Sequence, residues 1–143
     1  MSTRLKEKEE KLLKIIETLK EENAKGKPIV VEGKKDVAAL HALGVTGTLI
    51  TVKTGGKSFL DAICEIEKTG APEVILFLDF DRRGKEGTKH LKHNLERAKI
   101  KTNTKLWRAL SATAGNAIQC IESITAYLQT LHAKINTKNN QIS

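Results

Sequence analysis

The chain is poor in aromatic residues: three Phe, one Tyr and one Trp make up 3% of its 143 residues. Any core must therefore be built from Ile, Leu, Val and Ala. Cysteine is almost as scarce. Cys64 and Cys120 form neither a disulfide framework nor a metal-ligand spacing. No apolar run approaches the roughly 20 residues that span a bilayer, so no membrane partner is expected. The opening stretch, MSTRLKEKEEKLLK, is too charged to be the apolar core of a signal peptide. These absences describe a soluble, cytoplasmic protein. What is present suffices for one core: 39% of residues are apolar and 29% charged, which excludes wholesale disorder. The length fits one domain.

The formal net charge is +8, unevenly spread. Residues 1–25 hold 7 basic and 6 acidic side chains, residues 26–81 hold 6 and 8, and residues 82–143 hold 12 and 3. A slightly acidic middle thus precedes a strongly basic second half. Such asymmetry points to a polyanionic partner, nucleic acid first. Solubility alone is the plainer explanation.

Residues 3–24 read as one amphipathic helix with Leu5, Leu12, Leu13, Ile15, Ile16 and Leu19 on one side. Its expected role is to cover a sheet. Dimerisation has little support, because only about two heptads show a seam. Gly26 and Pro28 end it. Three β-branched or apolar runs follow, Ile29–Val31, Thr48–Val52 and Val74–Leu78. They alternate with helical patterns over 35–43, 57–68 and 85–99. Alternation with short connections predicts an α/β fold with a parallel sheet between helices. A fourth strand is expected within Ile100–Leu106. Residues 107–134 read as mostly helical, with a weak point near Gly115-Asn116, and the polar tail from Asn136 as frayed.

In an open parallel sheet, ligands bind outside the carboxyl ends of the strands. The first run is followed by Glu32-Gly33-Lys34-Lys35-Asp36, the second by Lys53-Thr54-Gly55-Gly56-Lys57-Ser58, and the third by Asp79-Phe80-Asp81-Arg82-Arg83-Gly84. Asp79 and Asp81 are two apart, so in an extended chain they point the same way. Glu32 could join them from a neighbouring strand. Like charges about 4 Å apart repel by roughly 1 kcal/mol in water, and by more at lower dielectric. A cation or a shifted pKa relieves such a cluster. Oxygen ligands without His or Cys favour Mg²⁺, with Mn²⁺ as a substitute. Alternatively, Asp79 and Asp81 cap the following helix and pair with Arg82 and Arg83.

These residues resemble a family. Val30-Val31-Glu32-Gly33-Lys34-Lys35-Asp36, followed by Phe77-Leu78-Asp79-Phe80-Asp81-Arg82-Arg83-Gly84-Lys85-Glu86-Gly87, is similar to the Toprim domain of topoisomerases, primases and several nucleases. The resemblance covers residues 27–110 and is greatest to small stand-alone archaeal Toprim proteins. It implies a Rossmann-like Toprim fold of about four mainly parallel strands. The implied domain spans 26–110, between an N-terminal helix (1–25), a helical extension (111–135) and a flexible tail (136–143). It also implies that Glu32 acts as a general acid/base, that Asp79 and Asp81 bind Mg²⁺, and that Gly33 permits a tight turn. A third aspartate common after the DxD pair is replaced here by basic residues, Arg82-Arg83-Gly84-Lys85. That bears against a fully ligated second metal.

The basic residues around these strand ends, Lys34, Lys35, Lys53, Lys57, Arg82, Arg83, Lys85, Lys89 and Lys92, are the candidate phosphate contacts. Lys99, Lys101, Lys105 and Arg108 would extend the track. Gly55, Gly56 and Gly84 are candidate turn glycines. Gly55-Gly56-Lys57-Ser58 lacks the glycine that a Walker loop needs five residues before Gly56, since Thr51 stands there. A phosphatase of the DxD type would carry its motif on the first strand, not the third. Trp107 could stack on a base or serve as core, and His90 and His93 read as surface residues. Two functions remain: a metal-dependent enzyme on phosphodiester bonds of RNA or DNA, most simply a nuclease, or a non-catalytic nucleic-acid-binding accessory. A topoisomerase would need a nucleophilic tyrosine on another domain, and Tyr127 lies in a helical C-terminal stretch.

Overall fold

The structure, a computed structural model, describes residues 2–53, 56 and 58–142. Four strands, β1 (Ile29–Val31), β2 (Leu49–Thr51), β3 (Glu73–Leu76) and β4 (Lys101–Asn103), form one sheet in the order β2-β1-β3-β4. Every pairing is parallel. The helices are α1 (Ser2–Ala24), α2 (Lys34–Ala42), α3 (Phe59–Lys68), α4 (Arg82–Arg97), α5 (Lys105–Ala114) and α6 (Ile124–Ile142). Two short 3₁₀ turns, Gly115–Ala117 and Ile121–Ser123, break the helical C-terminal region where Gly115-Asn116 marked a weak point. The expected α/β architecture is therefore present. No helix among the described residues is long and apolar enough to cross a membrane.

Successive strand residues point to opposite faces, and both faces are dry. Ile29, Val31, Ile75 and Phe77 pack with Leu12, Ile15, Ile16 and Leu19 of α1 and with Leu110, Ile124 and Leu131 of α5 and α6. Val30, Ile50, Leu76 and Leu78 pack with Ile63 and Ile66 of α3 and Leu91 and Leu95 of α4. Each fully buried Leu or Ile contributes on the order of 1.5–3 kcal/mol. Leu13, grouped with the buried side of its helix by spacing, is instead 50% exposed, and Leu60 of α3 is 69% exposed. Each lies at the edge of its apolar stripe.

Asn23 fixes the end of α1. Its amide donates to the Lys27 and Thr48 carbonyls and accepts from Gly47 N–H at 2.7 Å. Helix α4 begins at Arg82, three residues earlier than its spacing predicts, and α6 runs to Ile142 across the segment expected to fray. At the end of α4, Ile100 N–H reaches the Leu95 carbonyl and Lys99 N–H reaches that of Glu96, a Schellman closure. Lys99 therefore adopts φ 64°, a conformation that favours glycine. Lys99→Gly is expected to raise stability by about 0.5–1 kcal/mol, read as a higher urea midpoint.

Candidate metal centre

The chain leaves β1 toward β2 on one side and returns to β3 on the other, so a crevice opens between the carboxyl ends of β1 and β3. Glu32 follows β1 directly and Asp79 follows the extended Phe77-Leu78 end of β3. Between them lies a cavity of about 540 Å³ lined by Glu32, Asp36, Asp79 and Glu122, by Lys34, Lys35 and Lys53, and by Gly33 and Cys120.

Glu32 is 8% exposed, and its Oε2 lies 3.0 Å from Lys53 Nζ. The contact is an ion pair without good hydrogen-bond geometry. Asp36 is 6% exposed, and its Oδ2 accepts from Gly33 N–H at 3.1 Å, closing the first turn of α2. Burial first, and then the negative charge of Glu122, pushes its carboxyl above the ordinary value. Asp79 is perturbed further. Burial, then the charges of Asp36 and Glu32, raises its carboxyl to about 6, opposed by an N–H donated from Ile121. Its Oδ1 is buried and meets no hydrogen-bond partner among the described residues.

Asp81 does something else. It is the N-cap of α4, and its Oδ1 accepts from Gly84 N–H at 2.7 Å. Its side chain is exposed and does not line the cavity. The helix starts at the next residue, so the chain turns there and Asp81 caps it, while its negative charge still adds to the upward push on the Asp79 carboxyl. Gly84 makes that turn possible, because a Cβ there would collide with the Asp79 carbonyl oxygen. Gly33, by contrast, has φ −154° and open space where a Cβ would be, so its backbone does not demand glycine. Gly56 has φ 74°, while Gly55 and Lys57 lie outside the described residues.

Among the basic candidates, Lys34, Lys35 and Lys53 border the cavity. Arg82 is tied to Glu86 at 3.2 Å. Lys85 and Lys89 are exposed on α4 opposite buried Leu91 and Leu95, and Lys92 is half-buried. Lys101 does not extend this track. It starts β4 and lies 3.8 Å from Glu73, which starts β3, so both sit at the opposite end of the sheet. Trp107 is structural: its Nε1 donates to the Leu78 carbonyl at 2.7 Å and its ring stacks on Phe80, centroids 5.5 Å apart.

The spacing did not reveal the contribution of residues 119–122. The Gln119 carbonyl accepts from Phe80 N–H at 2.7 Å, Ile121 N–H serves Asp79, and Glu122 N–H serves Asp36. One signal was available, since Glu122 is the lone carboxylate after Glu96 in the basic half.

A family model for the Toprim domain matches residues 26–109. The chain belongs to the Toprim family. A UPF0292 protein of Methanocaldococcus jannaschii is 42% identical over 120 residues, 83% of this chain and 91% of that protein. A second, from Archaeoglobus fulgidus, is 32% identical over 81% and 88% of the two chains. Both are small archaeal proteins. A solved structure, a putative protein from Aquifex aeolicus, superposes with TM-score 0.66 at 25% identity, covering 77% of this chain and 94% of that one. Membership of the Toprim family points to a role with nucleic acid, and Toprim domains generally bind Mg²⁺.

The donor set suits that ion in kind. Its carboxylates supply oxygen donors, and two buried oxygens, Glu32 Oε2 and Asp79 Oδ1, have no hydrogen-bond partner among the described residues. Among the described residues no three His, Cys, Asp or Glu side chains are grouped closely enough to cage a metal. Mg²⁺ does not require this, because it is usually held by one or two carboxylates, waters and substrate phosphate.

Proposed function

We propose that this Toprim protein cleaves phosphodiester bonds of nucleic acid with a divalent cation, Mg²⁺ or Mn²⁺, at the Asp79 crevice. The observation that carries the reading is the buried, unpartnered Oδ1 of Asp79, in a carboxyl already destabilised as an anion by burial and by Asp36 and Glu32. Asp79 would hold the cation, with Glu32 and the free oxygen of Asp81 as further oxygen donors. When bound, such a cation neutralises charge on a phosphate and lowers the pKa of an attached water.

The remaining work falls to the chain. Lys53 neutralises Glu32 at 3.0 Å, and an arriving phosphate would compete for that ammonium. Glu32 is then released to take or give a proton at the reacting oxygen. Lys34 and Lys35 offer phosphate contacts from the first turn of α2, where the helix dipole also favours an anion. The basic outer face of α4 would hold the strand without reading its sequence.

A second reading, binding without turnover, is favoured by the Asp81 cap, which occupies one oxygen of a candidate ligand. One experiment separates the two. Labelled single- and double-stranded RNA and DNA are incubated with the protein in Mg²⁺ or Mn²⁺, beside Asp79→Asn. Cleavage that needs the ion and falls at least about 100-fold in the variant supports the enzyme. Cleavage that survives the substitution contradicts it, and salt-sensitive binding without cleavage supports the accessory reading.

A further inference from the structure

Lys53 borders two cavities. The first is the carboxylate crevice. The second, about 380 Å³, is lined among the described residues by Lys53, Phe59, Arg83, Glu86, Gly87 and His90. It sits where the first turn of α3 meets the first three turns of α4. Its volume is within the range of small-ligand sites.

Its walls differ in kind from those of the crevice. Phe59 and His90 meet edge to face, with ring centroids 5.3 Å apart. Phe59 is only partly buried and His90 is exposed. Arg83 adds an exposed guanidinium, and the Glu86 carboxylate is offset by Arg82. Gly87 lies within α4, where glycine costs about 1 kcal/mol against alanine. A Cβ there would come within 3.1 Å of the Phe59 ring. The glycine thus lets α4 close on Phe59 without filling the pocket between them.

The shortage of aromatics makes Phe59 distinctive. Of the five in the chain, Phe77 and Phe80 are buried, Trp107 stacks on Phe80 and is bonded to Leu78, and Tyr127 packs into the core under α1. Phe59 is the one that faces a polar cavity beside the crevice.

We infer that the pocket of Phe59, Gly87, His90 and Arg83 seats an unpaired nucleobase of a strand whose phosphate lies against Lys53. A base and its phosphate are joined through one sugar, and Lys53 is common to both cavities, so one nucleotide would span them. A base inside a duplex cannot enter such a pocket without leaving the stack. The substrate class is therefore single-stranded or locally unpaired nucleic acid. This rests on the proposed nucleic-acid function but not on turnover.

The test compares binding of two labelled probes in EDTA at low salt: an eight-nucleotide single strand, and an abasic sugar-phosphate strand of the same length. The wild type is expected to prefer the strand with bases by at least about fivefold, the scale of one stacked base. His90→Ala, on the surface, and Phe59→Leu, which keeps the apolar packing, should each reduce that preference while leaving affinity for the abasic strand unchanged. Equal affinity of the wild type for both strands overturns the inference, as does a preference that survives both substitutions. If metal-dependent cleavage fails while the base preference stands, the catalytic reading falls and the pocket remains. If the wild type binds neither strand, both fall.

Discussion

Asp79→Asn should make the metal-free protein more stable at pH 7.5, with a melting temperature higher by about 3–8 °C, and leave it nearly unchanged at pH 4. The carboxyl stands at about 6 in the folded chain against an ordinary value of 3.8. Between those values the folded chain keeps a proton that the unfolded chain has released. Stability is therefore full below about pH 4, falls as pH rises through about 6, and stays reduced above it. Two pKa units correspond to a ceiling of about 3 kcal/mol. Because the side chain is partly exposed, solvent screening lowers this to about 1–2 kcal/mol. Asn keeps the acceptor for Ile121 N–H and carries no charge. Thermal melts in EDTA at the two pH values check the difference, and Mg²⁺ should then raise the wild type while leaving the variant where it was. A variant less stable than wild type at pH 7.5 would contradict this account of the Asp79 environment.

Trp107→Ala should cost about 3–4 kcal/mol. It removes the ring stacked on Phe80 and leaves the Leu78 carbonyl without its indole donor. Leu78 immediately precedes Asp79 and Phe80 immediately follows it, so the loss falls on the segment that aims the carboxylate. Trp107→Phe keeps an aromatic ring and removes the hydrogen bond, and should cost about 1–2 kcal/mol. Urea denaturation of the three proteins gives the two differences. Equal losses for Ala and Phe would assign the whole effect to the hydrogen bond.

How legible the molecule was depends on how local each feature is. Ile29-Val30-Val31 and Val74–Leu78 could be read as buried parallel strands because β-branched and apolar runs between turn residues have few other uses. Glu32 and Asp79 could be placed at a crevice because the carboxyl ends of such strands are where ligands bind. Asp81 had two readings, ligand and helix cap, and its cap role depends on α4 starting at Arg82, a start that Gly84 rather than an apolar residue marks. Asp36 was visible as an acidic residue early in a helix. Its burial against Glu122 depends on a segment some 85 residues later, and no local pattern carries such a contact. Gln119 and Ile121 act through backbone groups, to which side-chain spacing is blind. Trp107 had two readings until the Leu78 carbonyl and the Phe80 ring were seen to occupy it.

The divided charge takes a more definite form in the structure. The acidic middle supplies Glu32, Asp36 and Asp79 to the crevice, and the basic half begins at the helix whose cap is Asp81. Glu122 then returns one carboxylate from that half to the same cavity.

The central claim is that the Asp79 crevice holds a divalent cation. The most direct measurement is an anomalous difference map from crystals of the full chain soaked in Mn²⁺. The account predicts a manganese peak in contact with an Asp79 carboxylate oxygen, lost in crystals of Asp79→Asn. Manganese bound only elsewhere, or at the crevice in the variant as well, would contradict it.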